Sequence, residues 1–295
     1  MNLRLAKNSG FCFGVKRAIK MALKAAKENH QTVTLGPIIH NPQMVSKLES
    51  KNILAVDNIS QIKNRATIIR SHGVKKNVLD RLKEKEIEII NATCPYVSKT
   101  QKFAEELDKE GYKIIILGDK DHPEVKSLYS YINGDALIVA NATELPDMSF
   151  KKVGVISQTT RSINDFQKLV SELVKRSEEM RIINTICNAT SVRQNSTIEL
   201  AKISDAMIVV GGKNSSNTKM LAKISGKYVK TYHVETACEI KKKWFSKTED
   251  IGITAGASTP DWVIVDVYNK IIEIIGKLDK KIEKVEDIPG FKEER

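Results

Sequence analysis

Three stretches of the chain share one spacing, and that spacing restricts the possible folds more than any other feature. Cys12, Cys94 and Cys187 each stand between a short apolar strand and an amphipathic helix: LRLAKNSGF before VKRAIKMALKAAKEN, EIEIINAT before PYVSKTQKFAEELDKEG, and RIINTI before TSVRQNSTIELAKIS. A strand ending in glycine follows each helix (TVTLG, KIIILG, MIVVG), and Gly36, Gly118 and Gly211 each lie 24 residues beyond their cysteine. Four residues later comes a polar group, His40, His122 or Ser215, that opens another helix. A later strand in each stretch ends on His72, Thr159 or Ser258, at 60, 65 and 71 residues from the cysteine, a drift that loops of different length produce. With four cysteines and five histidines in the whole chain, coincidence explains this register poorly. It reads as an internal threefold repeat.

Strands alternate with helices throughout, which predicts parallel sheets and an α/β class. The repeat predicts three small parallel-sheet α/β units in a pseudo-threefold trefoil around a central cavity. Their expected spans are 14–93, 94–186 and 187–270, the last together with 1–13, whose strand can pair with a sheet at the far end of the chain. Residues 271–295 are expected to form a C-terminal helix and a charged tail. Val15, Ala18, Ile19, Ala22, Leu23 and Ala26 recur at helical spacing, as one buried stripe should. Pro95 sits where the first turn of a helix tolerates proline. In open α/β sheets ligands bind beyond the carboxyl ends of the strands. Those ends carry Cys, His, Ser and Thr in all three stretches, so a pseudo-threefold arrangement lets nine such groups converge, with helix N-termini suited to an anion.

Hydrophobic content of 41% supplies a normal core. No apolar run approaches the ~20 residues of a membrane span, and MNLRLAKNSG lacks the apolar segment of a signal peptide. The expected location is therefore cytoplasmic, where cysteines more often serve metal or catalysis than disulfides. The net charge of +12 has two readings, a nucleic-acid surface or a lysine-rich surface that attracts a small anionic substrate. Scattered lysines and the lack of an aromatic RNA-binding signature favour the second, with no nucleic acid and no membrane as partners.

Three thiolates about an axis match three corners of a cubane [4Fe–4S] cluster, leaving the fourth iron open as a Lewis acid. A structural zinc is the alternative, though its ligands normally come at tighter local spacing. Cys238 has no counterpart in the repeat and is expected to be a small buried apolar residue. His40, His72 and His122, at matched strand ends beside basic charge, read as donors to a diphosphate or similar dianion, aided by Ser215, Ser216, Asn217 and Ser258. Core or helix-capping roles are the bland alternative for the histidines. Glu124, the one carboxylate of the HPEV turn, can supply protons near a reducible centre, and Thr159 can relay them or hold a hydroxyl. His30 and His233 fall outside the register and are expected to be surface or structural.

Taken together, FCFGVKRA, GPIIHNPQ, RSHGV, ATCPYV, GDKDHPEV, SQTT, ICNATSVRQ, GGKNSSNT and TAGASTPDW resemble the 4-hydroxy-3-methylbut-2-enyl diphosphate reductase (IspH/LytB) family from about residue 3 to residue 270. The resemblance implies reductive dehydroxylation of an allylic alcohol diphosphate to isopentenyl and dimethylallyl diphosphates, the last step of the non-mevalonate (MEP) pathway. It implies an oxygen-sensitive [4Fe–4S] cluster on Cys12, Cys94 and Cys187. His40, His72, His122, Ser215, Ser216, Asn217 and Ser258 match the diphosphate-binding set, Glu124 the proton-relay acid, and Thr159 its neighbour near the substrate hydroxyl. Electrons are expected from an external one-electron donor of ferredoxin or flavodoxin type. An iron–sulfur lyase that needs no electrons and a nucleic-acid-binding redox sensor are the competing readings.

Overall fold

The structure, a computed structural model, describes residues 1–28, 32–62, 66–277 and the strand pair 284–285. The described chain divides into two compact units. One holds Met1–Cys12, His40–Pro42 and the residues from Asn188 onward; the other holds Phe13–Ile39 and Gln43–Cys187.

The larger unit carries two sheets. The first is built of β2 (Val33–Leu35), β3 (Leu54–Val56), β4 (Thr67–Ile69) and β5 (Ile89–Asn91), in the order β3-β2-β4-β5. The second is built of β6 (Lys113–Leu117), β7 (Ala136–Val139), β8 (Phe150–Ser157) and β9 (Ser177–Ile182), in the order β7-β6-β8-β9. The smaller unit carries one sheet, of β1 (Asn2–Leu5), β10 (Ala206–Val210), β11 (Lys230–Val234), β12 (Asp250–Ala255) and β13 (Lys284–Val285), in the order β11-β10-β12-β1-β13. Every pairing is parallel. The same four-strand order occurs three times. In the third sheet the strand that precedes a cysteine is β1, which pairs with β12 from the far end of the sequence (Leu3 opposite Ile251).

Three helices follow the cysteines: α1 (Phe13–Glu28), α4 (Pro95–Lys109) and α7 (Asn188–Ala201). Three follow the glycine-ended strands: α2 (Pro42–Glu49), α5 (Pro123–Tyr129) and α8 (Ser216–Ser225). Three close the crossovers after the third strands: α3 (Lys76–Glu84), α6 (Ile163–Val174) and α9 (Asp261–Gly276). The helix expected from residue 271 is thus the end of one that starts at Asp261, and the charged tail beyond it lies outside the described residues apart from β13.

Central strands read as unbroken apolar runs because helices cover both faces. Ile115 and Leu117 of β6 pack with Phe166, Leu169 and Leu173 of α6. Ile114 and Ile116 point the other way, onto Ala104 and Leu107 of α4 and Val125 of α5. All four β6 side chains are fully buried, each removing about 1.5–3 kcal/mol worth of apolar surface from water. In the smaller unit Leu3, Ile251 and Ile253 pack with Val267 and Ile271 of α9. Among the described residues no helix is long and apolar enough to cross a membrane.

Two of the register glycines illustrate why that position is fixed. Gly36 has φ +72°, and a Cβ there would lie 2.6 Å from Nη1 of Arg70. Gly118 needs no unusual φ, yet a Cβ would meet Val125 of α5 at 2.7 Å. One glycine is required by backbone conformation and the other by the close approach of the helix that it launches.

Candidate active site

Each register cysteine is held by a similar backbone hydrogen bond. The Cys12 amide donates to Ala257 O (3.1 Å), that of Cys94 to Ser71 O (2.9 Å), and that of Cys187 to Thr159 O (3.1 Å). The acceptors are the residue before Ser258, the residue before His72, and Thr159 itself. The bond therefore ties each cysteine to the polar end of the third strand in its own sheet. Two arginines brace the approaches: Arg17 Nη1 donates to Thr93 O (3.1 Å), just before Cys94, and Arg193 Nη2 to Gly10 O (2.7 Å), two residues before Cys12. None of the four cysteines is in a disulfide, and the three register cysteines are half-buried. Partly shielded thiols at helix starts are a donor set suited to soft metal ligation, iron–sulfur centres included.

The most enclosed charge chemistry lies around Glu124. This carboxyl is buried (2% exposed), with Oε1 accepting from the Thr159 amide (2.7 Å) and Oε2 from Thr159 Oγ1 (2.9 Å). Burial pushes its pKa up to about 7, against the opposing pull of the two Thr159 bonds. A carboxyl poised near neutrality can both give and take a proton. His122 caps α5, its Nδ1 accepting from the Glu124 amide at 3.2 Å. An accepting Nδ1 places the ring proton on Nε2, which is then a donor. The capping and the ligand-facing readings of this histidine are thus compatible. His72 stands edge-on to it, with ring centroids 5.5 Å apart. Gln158, fully buried, accepts from the Asp119 amide (3.0 Å) and so shapes the loop that leads into His122.

A second polar corner is built in the smaller unit. Ser215 caps α8, its Oγ accepting from the Thr218 amide at 3.3 Å. Ser216 is half-buried. Asn217 is buried (4% exposed), and among the described residues neither its Oδ1 nor its Nδ2 has a hydrogen-bond partner. Leaving such groups unsatisfied costs about 1–3 kcal/mol each, a cost that water or a polar ligand would relieve. Ser258 Oγ donates to His40 O at 3.1 Å, fixing the backbone at the first histidine.

A family model described as LytB protein matches residues 3–272. The chain belongs to the LytB family. The LytB chain is 46% identical over 278 residues to the 4-hydroxy-3-methylbut-2-enyl diphosphate reductase of Trichlorobacter lovleyi, covering 93% of this chain and 99% of that one. It is 47% identical to the protein of the same name from Campylobacter lari, covering 92% and 98%. Among solved structures it matches an (E)-4-hydroxy-3-methyl-but-2-enyl diphosphate reductase described as the terminal enzyme of the non-mevalonate pathway, with TM-score 0.67 and 41% identity over 92% of this chain and 100% of that one. It also matches the E-1-hydroxy-2-methyl-but-2-enyl-4-diphosphate reductase of Plasmodium falciparum, with TM-score 0.86 and 27% identity over 99% and 95%. The α/β class with three parallel-sheet units that the repeat predicts is the fold of the LytB chain.

Some expectations need correction or lie out of reach. Cys238, expected to be buried, is exposed on the short 3-10 turn Ala237–Glu239; its neighbours Ala237 and Ile240 make the turn's contacts with the apolar core instead. His233 is structural: its Nε2 bonds Gly211 O at 2.8 Å. His30 lies outside the described residues. Sequence reasoning missed Gln158, Arg17 and Arg193 in the LytB chain. All three act on backbone groups, and the only available signal was their place inside SQTT, FCFGVKRA and ICNATSVRQ.

Proposed function

We propose that this LytB chain is a reductase that removes the allylic hydroxyl of (E)-4-hydroxy-3-methylbut-2-enyl diphosphate, giving isopentenyl and dimethylallyl diphosphates. The balance is two electrons and two protons in, one water out. The reading is supported by a donor set in which three cysteines from three repeats are each held by a backbone bond to the end of the third strand of their own sheet. Cys12, Cys94 and Cys187 would hold a [4Fe–4S] cluster with its fourth iron free of protein ligand. When bound, that group supplies single electrons and a Lewis acid.

The chain's own residues do the rest. His40, His72 and His122, with Ser215, Ser216, Asn217 and Ser258, bind the diphosphate; the partnerless amide of Asn217 is a natural contact for it. Binding energy far from the reacting carbon fixes the position of the hydroxyl. Glu124 holds the proton that leaves with the hydroxyl as water, and its pKa near 7 keeps a protonated fraction available at neutral pH. Thr159 grips both carboxylate oxygens and orients that proton. The electrons come from an external one-electron donor of ferredoxin or flavodoxin type, in the cytoplasm.

The test is anaerobic turnover of the allylic alcohol diphosphate with and without a chemical reductant such as dithionite plus a viologen. Products that form only with reductant, at two electrons each, support the reading. Water loss or addition without electrons supports a lyase and overturns it.

A further inference from the structure

A cleft of about 570 Å³ opens in the larger unit, and none of the residues assigned above to the site lines it. Its volume is that of an ordinary small-molecule pocket. Arg70, Lys75, Arg81 and Lys126 face it against two carboxylates, Asp57 and Asp121. Lys126 pairs with Asp121 at 3.2 Å, which leaves three cations to one acid. Arg70 is the most constrained of them. Its Nε donates to Gly73 O at 3.2 Å, and Gly36 packs so closely that a side chain there would collide with Nη1. Burial lowers the pKa of this guanidinium, and the charge of Asp57 works against that effect. Among the described residues no carboxylate forms an ion pair with it. Pro37, Val74 and Val78 give the same cleft an apolar wall.

We propose that this cleft is a second anion site, for a phosphate or diphosphate ester that carries a short apolar tail. A guanidinium fixed through Nε presents its two outer NH₂ groups as a fork, the geometry that suits phosphate oxygens. Lys75 and Arg81 add charge at the rim, and Pro37, Val74 and Val78 take the tail. The cleft is wired to the site by chain connectivity. Pro37 lies three residues before His40, Arg70 two before His72, and Asp121 and Pro123 flank His122. An occupant would bias the positions of these three histidines, and by reciprocity the site's ligand would alter its affinity. The cleft itself is independent of the proposed reaction; only this coupling rests on it.

The experiment is calorimetric titration of the anaerobically purified holoprotein with inorganic diphosphate and, separately, with geranyl diphosphate. Wild-type protein should bind two equivalents of inorganic diphosphate. The Lys75→Gln/Arg81→Gln variant, changed at two exposed positions, should weaken one of them at least tenfold and leave the other within twofold. Arg70→Gln should weaken the same one further. A single equivalent in the wild type, or two unchanged equivalents in the double variant, overturns the site. At the second site geranyl diphosphate should bind tighter than inorganic diphosphate; equal affinity overturns the assignment to an ester.

Discussion

Glu124 and Asn217 occupy the same place in two repeats, each 30 residues beyond its cysteine and in the first turn of a short helix capped by His122 or Ser215. Both side chains are buried. The carboxyl of Glu124 has both oxygens bonded by Thr159, whereas both polar atoms of Asn217 lack a partner among the described residues. One corner is closed by its own hydrogen bonds, and the other keeps two buried polar atoms open. A buried acid must be held in place if it is to carry a proton, because an unheld carboxyl would relax toward water. A buried amide that awaits an anion must instead be left open. On the proposed function, the repeat divides proton handling and ligand holding between single residues on one backbone plan.

The contrast breaks most sharply at Glu124. Glu124→Gln keeps the shape and removes the transferable proton, so kcat should fall about 10³-fold while KM changes little; a kcat within tenfold of wild type would end the assignment. The same group should also mark stability. Its folded pKa of about 7 stands above the ordinary 4.5, so the folded state binds the extra proton between those values. Stability contributed by that protonation is fully present below about pH 4.5 and is lost as pH rises through 7. The loss is on the order of 3 kcal/mol. Urea midpoints of wild type and Glu124→Gln should therefore diverge from pH 4 to pH 8, with the variant gaining, and parallel profiles would contradict the burial argument.

Asn217→Ala should act in the opposite sense: KM rises about tenfold, in line with one lost buried hydrogen-bonding group, while kcat stays within about twofold and unliganded stability within about 1 kcal/mol. A stability loss several times larger would mean that the amide serves the fold. The smallest effect belongs to Thr159→Val. Removing Oγ1 withdraws one bond that holds the Glu124 pKa down, so the midpoint of the pH–rate profile should move upward, with kcat reduced only severalfold.

Much of this was legible in the sequence because the register of Cys, Gly and polar residues is fixed by chain geometry rather than by composition. The α1 stripe was readable through Val15, Ala18, Ile19 and Ala22, all buried, although Ala25 rather than Ala26 is the next residue fully covered. The edge strands left weaker marks. β3 is three residues long with Leu54 and Ala55 exposed, too short for any period to show. The clasp between Glu124 and Thr159 depends half on a backbone amide, and the cysteine bonds depend wholly on backbone groups, which no side-chain pattern encodes. Nor does a sequence tell a satisfied amide from an empty one, so the difference between Glu124 and Asn217 appears only in three dimensions.

The most direct measurement of the central claim is iron content and visible spectrum after anaerobic purification of wild type, Cys187→Ser and Cys238→Ser. One sulfur from each repeat should be indispensable, so Cys238→Ser should match wild type at about four irons per chain, and Cys187→Ser should lose the cluster's absorption. Equal iron and equal spectra in the two variants would contradict the assignment of one ligand to each repeat.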